Sequence, residues 1–326
     1  MRARRSQYDV SDRIDVTDPG AVIAEVYQLF TATYPGEDPS VLGRAAVDLS
    51  RLFNGEYPGY EPCDTYYHDL QHTLDATLAT ARLLYGHEHR EPSARRMGPD
   101  RFRLGIVIAL FHDAGYIRRT ALDAVRNGAE YTRIHVSRSA DFLSHYLPIV
   151  GLGESLAIAR RLVHFTGYEM DLDRIELPDT GLRRLGEIIG TGDLIAQLAD
   201  RCYLEKCRDR LYPEFVLGGL AGQSTSEQTG RPTYNSREDL LRQTPAFFQH
   251  FVRKRLDVTF ARAYEYAAEC FGGSNLYLAA IEQNMEYLRD LIARDRLDLL
   301  RRQPPRLRLV GKPAASPYPV PALRYS

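Results

Sequence analysis

The most constraining feature of this sequence is a histidine–aspartate pair at the end of its most apolar stretch. The stretch runs from Leu104 to Phe111, and His112 and Asp113 follow it directly. Burying two such side chains without partners costs roughly several kcal/mol, so the pair needs something to bind. A cation would satisfy the imidazole and the carboxylate together. We therefore expect a buried helix over 101–117 that leads into a metal site.

Helical periodicity extends over most of the chain. Apolar residues recur at helical spacing, and no alternating pattern of useful length predicts a strand. Pro and Gly residues separate the periodic segments. The sequence therefore predicts an all-α fold. The predicted helices cover residues 20–34, 38–54, 70–85, 101–117, 130–147, 153–165, 182–209, 236–270 and 274–302.

The domain organisation follows from the same pattern. We expect an N-terminal extension over 1–19 and one all-helical domain over 20–302. The core of that domain should lie at about 60–210, with a helical C-terminal part over 236–302. The last 24 residues, 303–326, contain six prolines and no apolar period, so they should form a tail without a packed element and be dispensable for activity.

Charge and composition exclude several classes of protein. The net charge is −1, which gives no reason to expect a nucleic-acid polymer or a membrane surface as a partner. No apolar run approaches the ~18 residues that cross a bilayer, and no signal-peptide core follows the N-terminus. The four cysteines form no Cys-x-x-Cys pair, so neither a thiolate zinc site nor a disulfide framework is indicated. We expect a cytoplasmic protein.

The histidines are concentrated in one part of the chain. Eight of the nine lie between His68 and His164. His68 and His72 are four residues apart, so at the start of a helix they would share one face. His135 lies on the predicted inward face of its helix. Alone, His135 or His164 would more often be a hydrogen-bonded core residue than a metal ligand.

A carboxylate completes this set further along the chain. Asp193 follows Ile189 by four residues and so lies on an apolar helical stripe. Taken alone, Asp193 could cap a helix or pair with an arginine, and Asp200 on the same stripe is a rival that fits an ion pair better. Imidazoles and carboxylates without thiolates suit Mg²⁺, Mn²⁺, Fe or Zn²⁺. The set thus predicts a site for divalent metal ions, built by His72, His112, Asp113 and Asp193.

The order of these motifs resembles that of the HD-domain metal-dependent phosphohydrolases. The segment from Tyr67 to Asp75 is similar to the signature Tyr-His-Asn-x-x-His-x-x-Asp of class I cyclic-nucleotide phosphodiesterases, with Asp69 in place of the usual Asn. The segment from Phe111 to Asp113 resembles their second metal motif. The segment from Thr191 to Asp193 resembles their Thr-Asp motif with a glycine inserted. The resemblance covers roughly residues 60–210.

The resemblance implies a phosphodiesterase-like helical bundle with extra C-terminal helices. It implies His72, His112, Asp113 and Asp193 as ligands of the first metal, with Asp113 bridging to a second. It implies His68 as the general acid. HD-GYP phosphodiesterases and HD-type di-iron oxygenases complete a second metal site with two histidines, for which this chain offers His135 and His164. Two divalent ions are therefore expected.

The activity implied is hydrolysis of a small-molecule phosphoester, foremost a (cyclic) nucleotide phosphodiester. Two cations ~3.5–4 Å apart can stabilise both the attacking and the leaving oxygen, and an imidazole can protonate the leaving oxygen. The glutamine with which those phosphodiesterases hold the purine has no clear counterpart, although Gln243 lies in a similar context. Two alternatives stay open: an HD-type di-iron oxygenase and a non-catalytic sensor or interaction domain.

Overall fold

The computed structural model describes residues 4–222 and 234–305 of the chain. Within these ranges the protein is helical, with isolated β-bridges and no β-strand, so the all-α prediction is confirmed. No described helix is both long enough and apolar enough to cross a membrane. The α-helices are α1 (Pro19–Thr33), α2 (Ser40–Phe53), α3 (Leu70–Arg90), α4 (Pro99–Phe111), α5 (His135–Ile149), α6 (Leu156–Leu162), α7 (Thr180–Ala199), α8 (Tyr203–Lys206), α9 (Tyr212–Leu217), α10 (Arg237–Phe247) and α11 (Leu276–Ala293).

Helix α3 is the central element of the fold. It is buried along most of its length and packs against α1, α4 and α7. The contact with α7 is close at Gly192, where a β-carbon would lie only 2.2 Å from Thr80 Oγ1. Only glycine allows two helices to approach to this distance here. This approach brings the first turn of α3 beside Asp193 of α7.

The predicted helix over 182–209 is broken, because Asp200 takes the chain out of the helical conformation (ψ 131°). The Asp200 carboxylate accepts a hydrogen bond from Cys202 N at 2.7 Å and pairs with Lys206 Nζ at 2.5 Å. Side-chain bonds to nearby backbone compete with helix continuation in this way. After the break, α8, a π-helical segment (Cys207–Leu211) and α9 follow one another without a gap.

The predicted helix over 236–270 is also interrupted. Helix α10 ends at Phe247, and Ala261 and Arg262 adopt left-handed conformations with φ of 42° and 57°. Apolar periodicity reports which face is buried and is blind to the hydrogen-bond pattern, so these changes of helix type are invisible in the sequence. The segments that replace the single helix are α10, two π-helical segments (Phe248–Val252 and Arg255–Thr259) and a 3₁₀ segment (Ala263–Phe271).

Both ends of the described chain pack against the helical body. Cys202 Sγ contacts the carbonyl of Gln303 at 3.6 Å, and Arg210 Nη2 donates to the carbonyl of Pro305 at 2.9 Å. The first residues of the predicted tail thus contact the α8 region, and residues 306–326 lie outside the described part. Residues 223–233 lie outside it as well.

The N-terminal extension is tied to the core by a buried ion pair. Asp9 Oδ2 lies 2.7 Å from Arg82 Nη2 of α3, and both side chains are almost fully buried. Arg82 Nη1 also donates to the Tyr277 hydroxyl of α11 at 3.0 Å. Burial raises the pKa of Asp9, but Arg82 and the backbone hydrogen bonds outweigh it and hold this pKa below its usual value.

Replacing Asp9 should therefore destabilise the fold strongly. In Asp9→Ala the Arg82 guanidinium stays buried without its counter-ion, which typically lowers the free energy of unfolding by ~3–5 kcal/mol. The measurement is urea unfolding, with Asp100→Ala as control because the 92% exposed Asp100 side chain pairs with Arg103. Since the native pKa of Asp9 is depressed, its contribution should be present above about pH 4 and be lost as the pH falls through that lower pKa. Equal stability of the two variants would contradict this role.

Candidate metal centre

Three separate elements bring four side chains together. His72 lies in the first turn of α3, His112 and Asp113 follow the end of α4, and Asp193 lies on α7. His72 Nε2 is 3.2 Å from Asp193 Oδ1 and 3.4 Å from Asp113 Oδ2. His112 Nε2 is 3.2 Å from Asp113 Oδ2 and 3.6 Å from Asp193 Oδ1. The structure thus assembles the four residues that the sequence proposed as ligands of the first metal.

Local hydrogen bonds orient the two imidazoles. Asp69 caps α3, and its Oδ1 accepts a hydrogen bond from His72 N at 3.0 Å. Arg210 pairs with the other Asp69 oxygen at 3.0 Å. His112 Nδ1 donates to the carbonyl of Ala109 at 2.8 Å, which leaves Nε2 to face the site. Asp69, which stands where the signature has Asn, therefore fixes the helix start on which His72 lies.

The donor set fits a divalent cation. His112 Nε2 and Asp113 Oδ2 are buried and lie 3.2 Å apart, but neither makes a well-formed hydrogen bond. Buried polar groups without such bonds are costly, and a cation would bind both of them. Two groups have ligand atoms that all lie within 4.8 Å of one another, and they share His72. The groups are His72, His112 and Asp193, and His68, His72 and Asp113.

Electrostatics couple these side chains. Burial lowers the pKa of His72, but Asp113 and Asp193 outweigh it and raise this pKa to about 9. The pKa of Asp113 lies well below its usual value, because the neighbouring His112 and His68 outweigh the opposing effect of burial. A cation must displace imidazole protons to bind here, so metal retention should weaken as the pH falls.

The two histidines proposed for a second metal have different surroundings in the structure. His135 begins α5, donates through Nδ1 to the carbonyl of Thr132 at 2.8 Å, and places Nε2 3.8 Å from Asp113 Oδ1. His164 lies in the 3₁₀ segment after α6, buried, with no hydrogen-bond partner for Nδ1. Among the described residues it joins neither group of close ligand atoms. Its role as a ligand stays a prediction.

Glu214 is a site residue that the sequence did not reveal. Its side chain is fully buried, and its carboxylate accepts hydrogen bonds from the Tyr67 backbone N–H at 2.8 Å and from His68 Nδ1. The ring of Tyr116 stacks on His68 with centroids 4.5 Å apart. Glu214 is 146 residues from His68 in the chain, and a lone glutamate beside apolar Phe215 was its only signal.

Burial lowers the pKa of His68, but Glu214 and Asp113 outweigh it and raise this pKa above its usual value. The imidazole is thus favoured in its protonated form. With Nδ1 bonded to Glu214, Nε2 is the nitrogen left to face the metal-binding residues. The same geometry would allow His68 to donate a proton or to bind a metal.

A cavity of about 480 Å³ opens onto these residues. Its size is that of a site for a small molecule. On the side of the cluster the cavity is lined by His68, His72, Asp113, His135, Glu169 and Asp193. The rest of the lining is mainly apolar and aromatic, with Thr132, Arg133, Thr166 and Gln197 among its polar members.

Sequence comparisons do not add to this picture: no known family model matches the chain, and no curated protein matches it.

Removing the shared carboxylate should abolish metal retention. The Asp113 carboxylate lies within 3.8 Å of the Nε2 atoms of His112, His72 and His135. The Asp113→Ala protein should keep its helical circular dichroism and hold no divalent metal after dialysis, as measured by atomic emission. Asp141→Ala, an exposed acid on α5, is the control. Full metal content in the Asp113 variant would show that the assigned site is wrong.

Removing a histidine of the second set should lower the number of bound ions. His135→Ala is expected to reduce the metal stoichiometry from about two toward about one, because a two-metal site loses one ion's ligand. The same drop is the prediction for His164→Ala. An unchanged stoichiometry in His164→Ala would make His164 a core histidine, and in His135→Ala it would remove the second site.

Proposed function

We propose that this protein is a metal-dependent phosphohydrolase of the HD type. Its substrate would be a small phosphoester, with nucleotide phosphodiesters as the first class to test. The observation that carries the proposal is the buried cluster of His72, His112, Asp113 and Asp193. Its Asp113 lines a cavity of small-molecule size together with His68, whose imidazole pairs with Glu214. The motif resemblance over residues 60–210 supports the same reaction.

The residues that would hold metal are those of the cluster. His72, His112, Asp113 and Asp193 would bind one ion, and His135 would bind a second through the shared Asp113. When bound, divalent ions such as Mg²⁺, Mn²⁺, Zn²⁺ or Fe²⁺ stabilise charge on the phosphoryl oxygens and activate a water. Neutral imidazoles fill ligand positions without cancelling the charge of the cations.

His68 supplies the proton for the leaving oxygen. Its Nδ1 donates a hydrogen bond to Glu214, so in the imidazolium the second N–H, at Nε2, is the one that faces the cavity. Glu214 acts as a positioning residue: it fixes the imidazole plane and favours the imidazolium. The raised pKa of His68 stabilises the imidazolium, which is the form that can protonate a leaving alkoxide.

The charge of the cavity favours a diester over more highly charged esters. Arg133 is the one lysine or arginine among the described residues that line it. A phosphodiester carries a single negative charge, which bound cations and one arginine can balance. A phosphomonoester or a polyphosphate carries more charge and usually meets several cationic side chains.

The di-iron oxygenase alternative depends on six protein ligands, including both His135 and His164. Neither His135 nor His164 belongs to a close group of ligand atoms among the described residues, so the six-ligand site is less complete than the set of the first metal, which a hydrolase could use alone. A non-catalytic sensor would not need the His68–Glu214 pair at the cavity wall. Bound iron with oxygen consumption and no phosphoester cleavage would favour the oxygenase.

Replacing His68 should slow turnover and spare the metal. General acid catalysis contributes ~10²–10⁴-fold, so His68→Ala should reduce kcat by about that factor on an alkyl phosphodiester. The loss should be much smaller on a nitrophenyl diester, because nitrophenolate leaves without protonation. Kinetics on both substrates and metal analysis check this. Equal losses would argue against the acid role, and lost metal would make His68 a ligand.

The Glu214→Gln variant tests the positioning role separately. Without the carboxylate, the pKa of His68 should fall, because the Glu214 charge raises this pKa more than any other group does. Activity that needs the imidazolium declines as the pH rises through that pKa. The decline should therefore begin at lower pH in Glu214→Gln, with metal content unchanged. An unshifted pH profile would leave Glu214 with a purely structural role.

A further inference from the structure

We propose that the cavity selects the organic group of its phosphoester by apolar and aromatic contact, and does not read the hydrogen-bonding edge of a base. The substrate class is then phosphodiesters with a flat or bulky apolar group. Nucleotides would be accepted as aromatic planes whichever base they carry. This inference rests on the proposed hydrolysis.

Helix α10 presents an apolar face to the cavity. Leu240, Thr244 and Phe247 line it, at the spacing of one helical face. The Thr244 hydroxyl donates to the carbonyl of Leu240 at 2.8 Å. Gln243, the glutamine in a context similar to a purine-holding motif, is not among the lining residues, and its Nε2 donates to Asp239 Oδ1 at 2.9 Å. The Thr244 hydroxyl and the Gln243 amide are thus already bonded within the helix.

Further aromatic and apolar residues line the cavity away from the metal-binding residues. The rings of Phe215 and Tyr234 stack with an interplanar angle of 13° and centroids 6.0 Å apart. The hydroxyl of Tyr203 is hydrogen-bonded to the buried Cys207 thiol. The apolar residues that line the cavity also include Leu198, Leu211, Leu220 and Val252.

One amide side chain lines the cavity among the described residues. Gln197 lies four residues after Asp193, one turn along α7, and so stands near the phosphate end. Its side chain lies beside the buried Tyr67 hydroxyl. Its position suits the orientation of Tyr67 and the metal cluster better than the recognition of a distant base.

The apolar wall continues to the mouth of the cavity. Tyr168 lines the cavity and is 44% exposed, and Phe251 is 59% exposed and stacks on Phe247 with centroids 5.6 Å apart. Arg255 Nη2 donates to the carbonyl of Gly167 at 2.6 Å and holds the segment that carries Tyr168. An organic group larger than the cavity could therefore extend outward along aromatic surface.

Selection by hydrogen bonds and selection by apolar contact predict very different ratios of kcat/KM between substrates. A site that hydrogen-bonds its substrate rejects an analogue lacking those groups by ~10⁴–10⁵-fold, whereas an apolar pocket discriminates by ~10–200-fold. The rates on the 3′,5′-cyclic nucleotides of adenine, guanine, cytosine and uracil decide between them. We expect values of kcat/KM within about tenfold of one another. A spread above ~10³-fold would overturn the proposal.

A second series isolates the apolar contact. Methyl, phenyl and thymidine-5′ esters of 4-nitrophenyl phosphate all release nitrophenolate, so the bond that breaks is held nearly constant. The phenyl and thymidine esters should exceed the methyl ester in kcat/KM by ~10–100-fold, as the buried apolar area predicts. A phenyl-to-methyl ratio below ~3-fold would contradict the inference.

Phe247 variants locate the effect. Phe247→Ala should lower kcat/KM on the phenyl ester by about tenfold and on the methyl ester by less than ~3-fold. Phe247→Leu, which keeps apolar volume, should recover part of the loss and so guards against a folding defect. Val258→Ala truncates a 68% exposed apolar side chain that is not among the described lining residues, so it should have a small effect on both esters. Equal losses on the two esters in Phe247→Ala would remove Phe247 from selection.

The failure of hydrolysis and the failure of selectivity give different results. If the metal-loaded protein cleaves none of these esters, the proposed function fails. Calorimetric binding of diphenyl phosphate and dimethyl phosphate then still tests the cavity. Diphenyl phosphate should bind at least tenfold more tightly. Equal affinities would end the inference whatever the reaction.

Discussion

The structure depends on the burial of His112 and Asp113 at the end of α4. This helix lies against α3 and α7 in the centre of the protein, so the pair is out of reach of solvent. His112 Nε2 and Asp113 Oδ2 lie 3.2 Å apart without a well-formed hydrogen bond, so each can still bind a further partner. His72 of α3 and Asp193 of α7 lie close to them, and a cation would bind all four side chains. The packing of α3, α4 and α7 therefore determines which side chains meet at the site.

Close helix packing makes that arrangement possible. At Gly192 any larger residue would push α7 away from α3, and Asp193 is the next residue. A polar side chain on an apolar stripe would normally weaken a core. Here it lies within 3.2 Å of His72 because the two helices approach so closely. The glycine inserted before Asp193 has this geometric role.

The second half of the chain shapes what the cluster can act upon. The break at Asp200 redirects the chain into α8, the π-helical segment and α9, which places Glu214 behind His68. The same region and α10 supply the apolar side of the cavity. The cavity therefore joins the charged cluster to a mainly apolar lining.

The sequence by itself determined the helical class, most of the helices before Asp200 and the four clustered residues His72, His112, Asp113 and Asp193. These follow from periodicity and from residue types whose burial demands a partner, which are local properties. Only the tertiary structure decided that Glu214 holds His68, that Asp69 caps α3 and that Gln243 stays outside the cavity. It also set the helix breaks at Asp200 and Ala261. The physical reason is that these outcomes arise from contacts between residues far apart in the chain, or from backbone hydrogen-bond patterns, and neither has a local signature.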